Sequence, residues 1–121
     1  MKQLLFILIY TFCFYLNSLN IEKVISFNDG WSIFFLNENK IIMTEKKGSI
    51  KLFDIKNKGI KIIEHNLNIS SSGQGALMDI ISHDGKIFVS YSENMSSGST
   101  TSVATGIIKS NHITFNNIFR A

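Results

Sequence analysis

The chain has 121 residues, 45% of them hydrophobic, a length that supports one small domain and a composition that excludes wholesale disorder. Its formal charge is +3, but the lysines are dispersed and Arg120 is the single arginine, so the concentrated basic face that nucleic-acid binding needs is missing. Cys13 is the single cysteine, which excludes a disulfide framework or a cysteine-based zinc site within the chain.

The chain opens on Met1-Lys2-Gln3, a short positive start, and continues from Leu4 to Leu16 as an apolar run broken only by Thr11. That run is short for a membrane span of about 20 residues and suits the apolar region of a secretory signal peptide. Asn17-Ser18-Leu19-Asn20 is a polar exit with Ser18 the best small residue for cleavage. Residues 1–19 are therefore expected to be a signal peptide or an uncleaved N-terminal membrane anchor. Either way, residues 20–121 are expected to be exported, to the periplasm or the medium.

Beyond the leader every informative segment reads as β. Strands are expected at Trp31–Leu36, Lys40–Glu45, Ser49–Ile55 and Ile60–Glu64, joined by polar or glycine-bearing turns. A polar stretch, Ser70-Ser71-Ser72-Gly73-Gln74-Gly75, then leads into strands at Leu77–Ile81 and Lys86–Ser92, joined through His83-Asp84-Gly85. Glu93–Thr100 reads as a flexible polar loop. Thr101–Lys109 and Ile113–Phe119 pair most simply as a hairpin through Ser110-Asn111-His112. The fold class is all-β: two antiparallel four-stranded meanders, about residues 31–65 and 77–119, each resembling one blade of a β-propeller. Two blades cannot close a ring of about 4–8, and the chain stops on an apolar strand, so an interrupted propeller with open strand edges is expected. Such edges favour self-association.

Few residues carry chemistry by themselves. His65, His83 and His112 fall at turns or strand ends without metal-ligand spacing, which makes them structural and leaves metal ligands at none. Asp79 and Asp84 stand alone, and the serines lack a nucleophile elbow, so catalytic residues are also none. Trp31, Phe34, Phe35, Phe53, Phe88, Tyr91, Phe115 and Phe119 have strand spacing and are expected to pack between the blades. Gln74 differs from all of these. The glycines beside it let the backbone turn sharply and approach a flat ligand, and its amide has no apolar role to fill.

Gly73-Gln74-Gly75-Ala76-Leu77-Met78-Asp79-Ile80, followed by Lys86-Ile87-Phe88-Val89-Ser90-Tyr91-Ser92, resembles the glucose/sorbosone dehydrogenase family of soluble, pyrroloquinoline-quinone (PQQ)-dependent aldose sugar dehydrogenases. There a Gly-Gln-Gly-Gly-Leu-Leu-Asp-type segment precedes a strand ending in Tyr-Ser. Upstream, Trp31 to Ile50 resembles the family's opening blade, with Asn37-Glu38-Asn39 in place of Pro-Asp-Gly and Lys46 in place of an arginine. Thr101-Ser102-Val103-Ala104 is similar to the strand after Tyr-Ser, and His83-Asp84-Gly85 shortens a His-Pro-Asp-Phe turn.

The resemblance implies about two blades of a six-bladed propeller, PQQ and calcium as cofactors, and an aldose as substrate. Of the family's site residues only Gln74 carries over, as a cofactor-binding amide. The general-base histidine lies in a later Asn-His-x-x-Gly-Arg-Leu segment, and the calcium ligands in later blades, beyond these 121 residues. The expected function is thus an N-terminal portion of a sugar dehydrogenase, inactive alone. The alternatives are a small exported β-sheet binding module without catalysis, or a propeller of the lactonase-like or scaffold kind.

Overall fold

The computed structural model describes residues 21–121, so the expected leader, Ser18 and Cys13 lie outside the described residues. Ten strands run in chain order: β1 (Gly30–Asn37), β2 (Lys40–Glu45), β3 (Ile50–Asp54), β4 (Gly59–His65), β5 (Leu77–His83), β6 (Lys86–Met95), β7 (Gly98–Gly106), β8 (Ile108–Lys109), β9 (His112–Ile113) and β10 (Asn116–Arg120). They form two sheets, ordered β1-β2-β3-β4-β9-β8 and β10-β7-β6-β5. Among the described residues there is no helix.

Local chemistry sets the turns. The Asn37 side chain accepts from the Asn39 amide at 2.9 Å, and Asp54 accepts from the Asn57 amide at 2.9 Å, so each strand end carries its own Asx-type lock. Asp84 and Gly85, at φ 48° and 73°, form the two-residue turn expected between β5 and β6.

Alternation along the strands gives each sheet two faces. On the first sheet Phe34, Leu36, Ile42, Ile50, Leu52 and Ile63 face inward; on the second Leu77, Ile80, Ile87, Val89, Tyr91 and Ala104 meet them in one shared core. Thr44, fully buried at the seam, donates its hydroxyl to the Met78 carbonyl at 2.6 Å, and Ser32 donates to the Asp79 carboxylate. The two sheets therefore behave as adjacent blades, packed face to face.

Two expectations fail. Glu93–Thr100 is a hairpin rather than a loop, with β6 and β7 paired out to Met95 opposite Gly98. The inward alternation of Ile87, Val89 and Tyr91 continues to Glu93, whose buried carboxylate finds partners and so extends the strand. The last hairpin is also split. β10 pairs with β7 (Thr105 opposite Asn116), whereas β8 and β9 leave that sheet, and β9 runs parallel to β4 on the first. Asn66 drives this diversion. Its amide donates to the Phe115 carbonyl at 3.0 Å and accepts the Phe115 amide at 2.8 Å, seating Phe115 and Ile113 between the sheets.

The aromatic expectation holds in part. Tyr91 and Phe115 lie in the shared core; Phe53 is buried on the opposite face of the first sheet, since it alternates with Ile50 and Leu52. Trp31, Phe35 and Phe119 are 53%, 58% and 55% exposed, so they do not pack between these two sheets.

Candidate functional site

Gln74 stands at the corner of a four-residue turn, closed where the Gly75 amide donates to the Ser72 carbonyl at 2.9 Å. Close approach explains the second glycine. A Cβ on Gly75 would lie 2.3 Å from the Ser70 carbonyl oxygen, a clash against backbone that only glycine avoids. The Lys46 ammonium donates to the Gly73 carbonyl at 3.2 Å, and the Leu77 amide donates to the Lys46 carbonyl at 3.1 Å. On the other side the Ser70 amide donates to the Ser92 carbonyl and the Ser92 amide to the Ala76 carbonyl, both at 2.8 Å. The turn is thus pinned between the end of β2 and the middle of β6, while Ala76 and Leu77 behind it are fully buried. Gln74 itself is exposed, and its amide makes no hydrogen bond with another described residue.

The Lys46 side chain is therefore one of the contacts that hold the Gln74 turn. The sequence signal was present in the Thr-Glu-Lys segment, but its target, a glycine carbonyl 27 residues away, is a tertiary fact.

The histidines are dispersed. His65 is structural: it accepts the Leu67 amide at Nδ1 (3.3 Å), so its proton resides on Nε2, which donates to the Gly48 carbonyl at 2.7 Å. It also meets the Phe115 ring edge to face, with centroids 6.4 Å apart. His83 sits beside Asp84 at 3.2 Å in an exposed turn, and His112 bonds Thr114 at 3.0 Å. Among the described residues no group of three or more His, Cys, Asp or Glu could hold a metal ion.

One residue on from Ser92, β6 carries a polar cluster that sequence reasoning missed. Glu93, next to Ser92, accepts from Ser102 Oγ (2.6 Å), Asn117 Nδ2 (2.8 Å) and both ends of the Arg120 guanidinium (2.7 and 2.8 Å). The Tyr91 hydroxyl donates to Asn117 Oδ1 at 2.8 Å, completing the network. Hydrogen bonds from Arg120 and Ser102 outweigh burial and lower the Glu93 carboxyl from 4.5 to about 2. The missed signal was the period: extending Ile87, Val89, Tyr91 by one step puts Glu93 on the buried face.

The family model for glucose/sorbosone dehydrogenase matches residues 27–121. The chain belongs to the glucose/sorbosone dehydrogenase family. Solved structures agree on the fold. A glucose dehydrogenase superposes with a TM-score of 0.71 at 24% identity, over 77% of this chain and 32% of that one. A second glucose dehydrogenase gives 0.69 at 24% identity, over 77% and 30%. The PQQ-bound form of aldose sugar dehydrogenase from Streptomyces coelicolor gives 0.69 at 15% identity, over 79% and 31%. No curated protein sequence matches. The chain spans about a third of the length of these structures, and its two sheets match that part of a sugar-dehydrogenase β-propeller.

Proposed function

We propose that this chain contributes the opening blades of an exported, PQQ-dependent aldose dehydrogenase and that Gln74 meets the cofactor at its polar rim. The observation that carries this reading is an exposed amide without a described partner, held on a turn whose backbone is braced from both sides. An amide that can both donate and accept suits the carbonyl and carboxylate edge of a quinone. When bound, the quinone would take up the hydride from the sugar; Gln74 would orient it, and Lys46 would keep the turn in place. No described residue is assigned here to calcium or to the general base.

The test is an assay with PQQ, calcium, an aldose and an artificial electron acceptor. The chain alone is expected to give no turnover; turnover would move the base to His65, His83 or His112. Residues 27–121 exchanged into the Streptomyces coelicolor relative, in place of its matching segment, are expected to retain activity. Gln74→Ala in that chimaera should weaken cofactor binding about two- to tenfold, the value of one hydrogen bond. Unchanged cofactor affinity would remove Gln74 from the site.

The outward faces support the same reading. Trp31, Ile33 and Phe35 form an exposed apolar stripe on β1, and Ile60 and Ile62 continue it on β4. In the propeller such a face is covered by a neighbouring blade; the isolated chain is expected to cover it with a second copy. Sedimentation velocity should show a species heavier than the monomer that Ile33→Ser/Phe35→Ser shifts toward it. A strictly monomeric chain at all concentrations would count against the docking role of this face. The rival, a non-catalytic binding module, predicts a stable monomer and an inactive chimaera.

A further inference from the structure

Met43 and Phe53 are each 1% exposed, yet both sit on the face of the first sheet that points away from the second. Their strand neighbours Ile42, Ile50 and Leu52 face the shared core, so the second sheet covers neither of them. Ile33 pairs with Met43 on β1, and Ile60 with Phe53 on β4. Side chains of one sheet stand side by side and roughly perpendicular to it, so they shield a neighbour's flanks and leave its tip open. A second layer is therefore needed over Met43 and Phe53, while Ile33 and Ile60 beside them remain exposed.

Residues 21–28 supply that layer. At one end of the face the Lys58 ammonium donates to the Glu22 carboxylate at 3.1 Å; at the other the Asn28 amide donates to the Glu45 carboxylate at 2.8 Å. The six residue steps between these anchors span roughly 20 Å of extended chain, and the five steps of β2 from Lys40 to Glu45 roughly 17 Å, so the segment runs the length of the face. Ile25 lies midway and is the least exposed residue of the segment. The Phe27 ring rests on Gly30, where a Cβ would overlap it. Among the described residues no backbone-to-backbone hydrogen bond joins residues 21–28 to the sheet, and the Glu22–Lys58 pair is exposed and weak. Side-chain contact and one hydrogen bond to a carboxylate hold the segment, so it can open without unfolding either sheet.

We propose that residues 21–28 are a displaceable strap that guards the centre of the outward face and gives way when that face docks. This rests on the docking role proposed above for the face. A surface seated on Ile33 and Phe35 of β1 and on Ile60 and Ile62 of β4 at once must cross the middle, where the strap lies. Strap and partner therefore compete for Met43 and Phe53. A chain whose docking-competent state is the minor one binds with its affinity reduced by that fraction, so the closed strap holds free chains apart. Docking offsets the opening by covering Met43 and Phe53 afresh.

Peroxide oxidation of Met43 in the dilute full chain, followed by mass spectrometry, reads strap opening directly, with Met78 on the second sheet as the internal reference. Ile25→Ser is expected to speed Met43 oxidation about threefold or more relative to Met78. Gly30→Ala evicts the Phe27 ring but leaves the strap's own sequence intact, and should act in the same direction. Val24→Ser, on the exposed side of the strap, should leave the rate unchanged. Sedimentation velocity then tests the competition: Ile25→Ser and Gly30→Ala should each self-associate at concentrations about threefold or more below those the wild type needs. Unchanged Met43 oxidation in both variants would overturn the strap. Faster Met43 oxidation with self-association lowered or unchanged would overturn the competition, because the segment would then belong to the docking surface or lie clear of it. Failure of the docking role itself looks different: Ile33→Ser/Phe35→Ser would leave wild-type association unaltered while Met43 still responds to Ile25→Ser. That result removes the competition and leaves the strap as cover alone. Should Ile25→Ser fail to fold, Gly30→Ala decides.

Discussion

Glu93→Gln is expected to destabilise the folded chain by about 2–3 kcal/mol at neutral pH, read as a lower denaturant midpoint. The wild-type carboxylate accepts four hydrogen bonds, two of them from one guanidinium. Glutamine keeps the shape but turns an acceptor oxygen into a donor facing Arg120, Ser102 or Asn117. The loss falls short of the about 3–5 kcal/mol seen on breaking fully buried pairs, because the Arg120 side chain is 55% exposed and water can reclaim part of its charge.

The same carboxylate gives the chain an acid dependence. Its folded value of about 2 lies below the ordinary 4.5, so the stabilisation is fully present above pH 4.5 and is lost as pH falls toward 2. The gap between wild type and Glu93→Gln should therefore be widest above about pH 5 and close toward about pH 2. A gap independent of pH would mean that packing, not charge, holds the cluster. Because Ser92 pairs with both Ser70 and Ala76, the variant should also loosen the Gln74 turn, seen as faster amide exchange at Gly75.

Ile50→Ala is expected to cost about 2–5 kcal/mol, the range for truncating a large aliphatic side chain in a packed core. Ile50 is wholly buried and belongs to the cluster shared by both sheets, so its loss leaves a cavity that neither sheet can close alone. Ile62→Ala is the contrast. It is 65% exposed on the outward face and should change stability by no more than about 0.5 kcal/mol. Both variants need to be unfolded at one fixed chain concentration, since self-association adds a mass-action term. Equal effects at the two positions would mean that the outward face, in an oligomer, is as buried as the core.

Strand periodicity in the sequence places β1 to β6 within a residue or so of where they start, because one face of each is covered and the side chain repeats every second position. Asp84-Gly85 announces its turn, since that turn needs two residues that tolerate positive φ. The glucose/sorbosone dehydrogenase resemblance is carried by Gly73-Gln74-Gly75 and the Tyr91-Ser92 strand end, and the family match over residues 27–121 agrees.

The alternation of β1 to β6 and the turns up to Asp84-Gly85 were determined by the sequence alone, because each depends on neighbours a few residues apart, and the order of the motifs along the chain carried the family. Tertiary structure decided the rest. The last twenty or so residues look like one hairpin in sequence, yet Asn66, 49 positions from Phe115, draws β9 onto the first sheet and lets β10 return to the second. Glu93 reads as the start of a polar loop until Ser102, Asn117 and Arg120 close around it. Lys46 reads as a surface lysine until its ammonium reaches Gly73. In each case a polar side chain is satisfied by a partner far along the chain, and hydropathy carries no record of where that partner will be.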